Sequence, residues 1–235
     1  MFTLHGAARM SEPIVLSWSG GKDSSLALEA LRHDARFEVV GLLTSVTRGY
    51  DRVSIHGVRR TLLEAQARAV GLPLFEVALE PSSSNDAYEA AFRLGVGALR
   101  TAFPSLRHLA FGDLYLADVR AYRERLMATV GMTPVFPIWG IDTRALATRF
   151  IASGYRAHLV CVDTQQLGGE FAGRLFDDAL LSDLPASADP CGEGGEFHTF
   201  VSDGPIFSRP VPVTLGEAVL RDERFAYRDL LPEPG

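Results

Sequence analysis

The first 131 residues alternate between short apolar runs and segments with helical periodicity. The apolar runs lie at 14–16, 37–46, 72–79 and 106–114. Each is followed by a segment whose apolar residues recur three or four positions apart, which is typical of a helix with one buried face. Four such repeats predict an α/β fold, a doubly wound, Rossmann-like parallel sheet with helices on both faces. In that fold ligands bind at the carboxyl ends of the strands.

The pattern changes after Gly131. "MTPVFPIWG" has two prolines and no period, and a helix is predicted at 142–153, a strand at 155–162 and a short helix at 170–181. A glycine- and acid-rich loop and an alternating carboxyl-terminal segment follow. The predicted organisation is a disordered tail at 1–11, a nucleotide-binding domain at 12–131, and a smaller α+β substrate-facing domain at 132–235.

Composition restricts the class of partner. The 235 residues carry a net charge of −6 and contain no apolar run long enough to span a bilayer, so no membrane contact is expected. The acidic balance argues against nucleic acid as a partner. The N-terminus lacks the pattern of a secretory signal, and the two cysteines form no CxxC, so a cytoplasmic location is expected.

The segment "SWSGGKDSSLAL" (17–28) lies between the first strand and the first helix. Lys22 is the only lysine among 23 basic residues. The segment is not a Walker A loop, because Asp23 follows Gly21-Lys22 and Leu16 occupies the position of the first glycine. Glycines and a helix N-terminus nevertheless turn backbone N–H groups toward an anion. A carboxylate beside a phosphate indicates Mg²⁺ between them. The segment therefore predicts a phosphate site with Mg²⁺.

Ser19 to Ser24 (SGGKDS) resemble the PP-loop of ATP pyrophosphatases. That resemblance implies that ATP is cleaved between its α and β phosphates and that the loop holds pyrophosphate. "SIHGVRRTLLEAQARAVGLPL", "FGDLYLADVRAYRE", "FPIW" and "DPCGEGGEFHTFVSDGPIF" are similar to the diphthine–ammonia ligase family, and the similarity runs from Ile14 to Phe207. It implies amide formation from a carboxylate, ammonia and ATP, on a modified histidine of elongation factor 2.

The preference for arginine over lysine is typical of a high-GC bacterium, in which diphthamide is not expected. The resemblance therefore implies the fold and the adenylation step more directly than it implies the acceptor. A small molecule and a protein side chain both remain open as the source of the acceptor carboxylate.

The expected ATP site combines the loop with neighbouring strand ends. Gly112 is expected to let the nucleotide approach, and Asp113 to touch ribose, Mg²⁺ or the attacking group. The adenine is placed near the end of the second strand. The ATP-binding set is Ser17, Ser19, Gly20, Gly21, Lys22, Asp23, Ser24, Ser25, Thr44, Ser45 and Gly112, with Asp23 holding Mg²⁺ through the phosphates.

Two further segments carry candidate substrate residues. A polar loop (47–57) could close as a lid, and His56 and Arg59 start the helix that follows and are candidates to meet substrate or phosphate; a solvated loop with a capping histidine explains them equally well. In "GEGGEFHTF", Glu193, Glu196 and His198 are candidates for substrate recognition, ammonia capture or general-base work, and a structural turn is the alternative. The predicted catalytic set is Lys22, Asp23, Asp113, Glu196 and His198.

The function predicted from these features is an ATP-dependent, amide-forming ligase that adenylates a carboxylate, releases pyrophosphate, and passes the acyl group to ammonia or an amine. The alternatives are a PP-loop tRNA-modifying enzyme and a non-catalytic nucleotide-binding sensor. The apolar "TPVFPIW" is compatible with a homodimer contact or with core packing.

Overall fold

The computed structural model describes residues 11–47, 49, 52–53, 57–81 and 84–233, with only the backbone at 52–53. The strands, in chain order, are β1 Glu12–Ser17, β2 Phe37–Thr47, β3 Arg52–Val53, β4 Leu74–Leu79, β5 His108–Ala110, β6 Thr133–Val135, β7 Arg156–Asp163, β8 Phe197–Asp203, β9 Val213–Arg221 and β10 Phe225–Pro232. The helices are α1 Lys22–Arg32, α2 Arg60–Val70, α3 Asn85–Ala102, α4 Ala117–Thr129, α5 Thr143–Ala152 and α6 Asp178–Asp183. The predicted tail at 1–11 lies almost wholly outside the described residues.

The first sheet is parallel apart from β3, which confirms the predicted α/β fold. Its parallel strands lie in the order β4, β2, β1, β5, β6. The chain moves outward from β1 in one direction through β2 and β4, and then in the other through β5 and β6. The strand order therefore reverses between β1 and β5, and their carboxyl ends border the crevice where such sheets bind ligands.

The central strand β1 is buried on both faces, as a parallel sheet requires. Ile14 and Leu16 belong to one apolar cluster and Val15 to another on the opposite face, and all three are fully buried. The second cluster includes residues of α3 and α4, such as Phe92 and Met127. Helices thus cover both faces of the sheet.

A second sheet is antiparallel and has the order β8, β7, β10, β9. Its inner residues, Phe200 among them, share an apolar cluster with Leu28 of α1 and Leu62 of α2. Because this core is continuous, the second sheet is held directly against the helices that follow β1 and β2. This contact brings β8 to the loop after β1.

Two predictions for the carboxyl-terminal half need correction. Residues 133–135, expected to be irregular, form β6, and β6 pairs with β5 in the parallel sheet. The short helix predicted at 170–181 is instead a 3₁₀ turn at 169–171 and α6, separated by a segment in which Leu175 bridges to His158. The domain division near residue 132 stays a prediction. Within the described ranges, no helix has both the length and the apolar character needed to cross a bilayer.

Replacing Phe200 with alanine should lower the free energy of unfolding by about 3–5 kcal/mol, because its side chain is fully buried in the core that joins the second sheet to α1 and α2. Urea denaturation measures this value. The matched control is Leu94→Ala at a position 78% exposed, which should change stability by no more than about 0.5 kcal/mol. Equal effects of the two substitutions would contradict the shared core.

Candidate active site

A cleft of about 280 Å³ opens at the carboxyl ends of β1 and β5 and beside the start of β8. Three segments line it: the loop after β1, the segment from β5 into α4, and the loop before β8. From the predicted set, the cleft is lined by Ser17, Ser19, Gly21, Lys22, Asp23, Ser24, Gly112, Asp113, Glu193 and His198. Sequence segments more than 170 residues apart therefore meet in one cavity.

The loop after β1 leads into α1, whose first N–H, that of Lys22, is bound by Thr199 Oγ1 of β8 at 3.0 Å. The N-cap residue is Gly21, which has no side chain to accept a hydrogen bond. Ser24 and Ser25 instead turn back, and both hydroxyls donate to the Gly21 carbonyl, at 2.9 and 3.0 Å. Ser25 thus faces the helix and does not line the cleft, whereas Ser24 and Ser19 do. N–H groups at a helix start can form an anion site.

Gly20 sits in the left-handed region, with φ +79°. A Cβ atom there would lie 2.7 Å from Oε1 of Gln66 in α2. Glycine is required on both counts, conformation and space. Gly20 itself does not line the cleft, so its contribution is to the shape of the loop.

Lys22 and Asp23 form an ion pair at the cleft wall. The Nζ of Lys22 lies 2.8 and 2.9 Å from the two carboxylate oxygens of Asp23, and Lys22 is only 2% exposed. Burial is the largest single effect and lowers the pKa of Lys22, but the acidic groups around it, Asp23 first, together outweigh burial, so the pKa is raised. The ammonium group therefore stays charged, with Phe197 beneath it at 5.7 Å.

Two further carboxylates face the same cavity. Desolvation raises the pKa of Asp113, although Arg123 lies 3.5 Å away and opposes the shift. Desolvation and then the charge of Asp23 raise the pKa of Glu193 to about 7. A carboxylate that titrates near neutrality can act as a general base or acid. The cleft thus concentrates negative charge around one buried lysine.

Gly112 lies close to the backbone of α1, whereas the sequence predicted a close approach to the nucleotide. A Cβ there would lie 2.9 Å from the backbone carbonyl carbon of Asp23. The glycine therefore allows the end of β5 to pack against the first turn of α1. Close approach of a nucleotide at Gly112 stays a prediction.

The loop "GEGGEFHTF" divides its acidic residues between two environments. Glu193 and His198 line the cleft, but Glu196 does not. Glu196 is 4% exposed, and its Oε1 accepts the backbone N–H of Asp189 at 2.8 Å. In this structure Glu196 thus tethers the loop, and its predicted catalytic role gains no support from its placement.

Other predicted residues lie apart from the cleft. Thr44 and Ser45 do not line it, although the buried Thr44 hydroxyl has no hydrogen-bond partner among the described residues. Arg59 is bound by Asp229 of β10 through two hydrogen bonds of 2.6 and 3.2 Å. His56 lies outside the described residues. The predicted lid at 47–57 is only partly described, and its closure stays a prediction.

Sequence reasoning missed two residues that position the phosphate loop, Gln66 of α2 and Thr199 of β8. Gln66 is fully buried, and Thr199 accepts the backbone N–H of Lys22 at 3.0 Å. One signal for Gln66 was available: it lies four residues after Leu62 and four before Val70, so it falls on the inner face of α2. Thr199 had no comparable signal.

A divalent cation fits the cleft only together with phosphate oxygens. Among the described residues, no group of three or more histidine, cysteine, aspartate or glutamate side chains is arranged to hold a metal ion. Mg²⁺ is usually bound by one or two carboxylates, waters and substrate phosphates. Asp23 and Asp113 are suited to that arrangement, because both carboxylates line the cleft beside the loop.

Comparison with known proteins agrees with this geometry. Residues 12–134 match the diphthamide synthase N-terminal domain, and residues 142–227 match the diphthamide synthase C-terminal domain. The chain belongs to the diphthamide synthase family. The resemblance to diphthine–ammonia ligases inferred from the sequence is thereby confirmed.

Two similar proteins are both named diphthine–ammonia ligase. The chain is 27% identical over 222 residues to a diphthine–ammonia ligase of Schizosaccharomyces pombe, covering 86% of this chain but 36% of that protein. It is also 27% identical over 234 residues to the diphthine–ammonia ligase of Danio rerio, covering 88% of this chain and 89% of that protein. The chain thus spans about a third of the yeast relative and most of the fish relative.

The Gly20→Ala variant should be destabilised by at least about 1–2 kcal/mol, the cost of a left-handed non-glycine residue, with a further loss from the contact with Gln66. Gly97→Ala is the control: it lies in α3, where a Cβ meets no atom within 4 Å, and should stabilise by about 0.5–1 kcal/mol. Urea unfolding of both variants tests the assignment. A neutral Gly20→Ala would refute it.

Glu193→Gln should become increasingly stabilising relative to the wild type as pH rises. The folded-state pKa of Glu193 is raised from 4.5 to about 7, so its favourable contribution is complete below about 4.5 and is lost as pH rises through about 7. Glutamine carries no charge and avoids that loss. The measurement is the difference in unfolding free energy between variant and wild type at pH 5 and pH 8.

The control is Glu38→Gln, at an exposed position on β2. Because this side chain is exposed, the substitution should change stability by no more than about 0.5 kcal/mol at either pH. If the Glu193→Gln difference were the same at pH 5 and pH 8, the desolvated environment assigned to Glu193 would be wrong.

Proposed function

We propose that this protein is an ATP-dependent ligase that joins a carboxylate to ammonia and releases AMP and pyrophosphate. The observation that carries the proposal is the cleft in which the first turn of α1, Lys22 and three carboxylates meet. The names of its relatives, diphthine–ammonia ligase, support the same class of reaction. The proposed acceptor is a carboxylate on a protein side chain, with diphthine as the first candidate.

The proposed first step is attack of the acceptor carboxylate oxygen on the α-phosphorus of ATP. The bond to the β-phosphate oxygen breaks, and pyrophosphate leaves with the electron pair. The loop N–H groups and the Lys22 ammonium are suited to stabilise the charge that builds on the leaving group, which is commonly the largest contribution to such catalysis. To reach a phosphate, Lys22 must share its ammonium between Asp23 and the ligand.

The proposed second step is attack of ammonia on the acyl carbon, which expels AMP and leaves an amide. Ammonia must first lose the proton it carries as ammonium. Glu193 is the proposed proton acceptor, because it lines the cleft and burial raises its pKa to about 7. His198 lies on the same wall and is the second proposed contact for the acceptor.

Mg²⁺ is proposed as the cofactor, with Asp23 and Asp113 as its protein ligands. When bound, the ion would neutralise phosphate charge that the acidic cleft otherwise repels. Lys22 occupies both oxygens of Asp23 in this structure, so metal binding and the Lys22–Asp23 pair compete.

The alternative of sulfur transfer to tRNA gains no support from the thiols. Cys161 and Cys191 are both buried. Burial raises the pKa of Cys161 to about 11 and that of Cys191 to about 12, so neither is a ready nucleophile. The net charge of −6 also disfavours a nucleic-acid surface.

The decisive experiment supplies ATP, MgCl₂, ammonium chloride and elongation factor 2 bearing diphthine, and measures AMP, pyrophosphate and amide formation. Lys22→Ala should lower the rate by about a hundred- to thousand-fold, as expected for loss of one positioned charge donor. Arg36→Ala is the control, since this exposed cation pairs with Asp34 on the surface. ADP and orthophosphate as products would overturn the proposal.

The acceptor is tested separately with ATP–pyrophosphate exchange. A panel of small carboxylic acids replaces the protein acceptor, and exchange should require the correct carboxylate. Exchange with a small acid but not with the protein would reassign the acceptor and leave adenylation in place. Tight tRNA binding in a gel shift at physiological salt would instead favour a tRNA-modifying enzyme.

A further inference from the structure

The side chain of Gln66 joins three elements beneath the phosphate loop. It is fully buried, and its Oε1 accepts the indole N–H of Trp18 at 3.0 Å. Its Nε2 donates to the carbonyl of Gly20 at 3.0 Å and to the carbonyl of Val201 at 2.6 Å. Trp18 fixes the orientation of this amide, because its N–H requires Oε1 as the acceptor. Nε2 then faces the two carbonyls.

The Gly20 carbonyl has a second donor, because the backbone N–H of Val201 in β8 lies 2.9 Å from it. A second contact between the loop and β8 lies nearby, where the backbone N–H of Lys22 donates to Thr199 Oγ1 at 3.0 Å. The phosphate loop is thus held from one side by both Gln66 and β8. Neither Gln66 nor Val201 lines the cleft, so the Gly20 carbonyl is directed away from it.

Because the peptide bond is planar, the hydrogen bonds to the Gly20 carbonyl also set the direction of the Gly21 N–H. The C=O of Gly20 and the N–H of Gly21 belong to one trans peptide unit and point in opposite directions. If Gln66 and Val201 hold the carbonyl, the Gly21 N–H must face the other way. There it meets Ser19 Oγ at a long 3.3 Å, and both residues line the cleft.

We propose that Gln66 is a positioning residue that fixes the Gly20–Gly21 peptide so that the Gly21 N–H can donate to an oxygen of the leaving pyrophosphate. This proposal rests on the proposed function, which places pyrophosphate at the loop. The Gln66 amide satisfies the Trp18 N–H and the Gly20 carbonyl together, because it carries an acceptor and a donor on one rigid planar group. Methionine has similar length but lacks the donor.

Gln66→Met should bind magnesium pyrophosphate at least tenfold more weakly than the wild type in isothermal titration calorimetry. Arg32→Met is the matched control. Arg32 also donates two hydrogen bonds that bridge α2 and the carboxyl-terminal half, to the carbonyls of Val70 (2.6 Å) and Ile206 (2.9 Å), but it does not line the cleft. Its loss should leave pyrophosphate affinity within about twofold of the wild type.

The Gln66→Glu variant tests whether the hydrogen bond from residue 66 to the Gly20 carbonyl controls pyrophosphate affinity, as distinct from a merely structural role. A protonated glutamic acid keeps one donor and one acceptor, whereas the carboxylate has no donor for the Gly20 carbonyl. Burial against carbonyl oxygens favours the protonated form. The affinity of Gln66→Glu, as a ratio to the wild type at each pH, should therefore recover several-fold between pH 8 and pH 6. A ratio that is independent of pH would overturn the proposal.

The outcomes separate this proposal from the function. A wild-type protein that binds neither pyrophosphate nor ATP overturns both. Wild-type binding that Gln66→Met leaves unchanged overturns only the role of Gln66. If the variants fail to fold, hydrogen exchange of the wild type decides: magnesium pyrophosphate should slow exchange of the Val201 and Lys22 N–H groups at least tenfold, and unchanged exchange at both overturns the proposal.

Discussion

The arrangement of the cleft depends on one backbone carbonyl, that of Gly20. Two donors hold it, the Gln66 amide and the Val201 N–H. This oxygen joins three elements: the end of β1, the helix α2 and the strand β8. Without these contacts the chain would be a flexible glycine turn at this point. Because a buried carbonyl without a partner is costly, these contacts stabilise the junction as well as shape it.

The same junction brings the carboxyl-terminal half to the proposed ATP site. β8 supplies Val201 and Thr199 to the loop, and the segment just before it carries Glu193 into the cleft. The groups proposed to contact phosphate and those proposed to face the acceptor are therefore connected through one short strand. Short, rigid connections of this kind keep reacting groups at fixed separations, which is where much of the rate of a two-substrate reaction originates.

Sequence patterns were sufficient for the features that are local. The alternation of strands and helices gave the parallel sheet, and the polar segment after β1 gave the loop with Lys22 and Asp23. Features that depend on how distant segments meet were not predictable. The loop "GEGGEFHTF" offers Glu193 and Glu196 equally, and only the folded turn shows that Glu193 lines the cleft while Glu196 binds the N–H of Asp189. Likewise β6 carries a proline and no period, yet it pairs with β5.

The electrostatics of the cleft bear on the proposed role of a cation. Asp23, Asp113 and Glu193 line it together with Lys22 and Arg123, so three acidic side chains face two basic ones. A divalent ion held by Asp23 and Asp113 would add positive charge beside the phosphates. Its positive charge would also lower the pKa of Glu193 from about 7, because opposite charges favour the ionised carboxylate. Binding of nucleotide and metal would thus shift the proposed base toward its ionised, proton-accepting form.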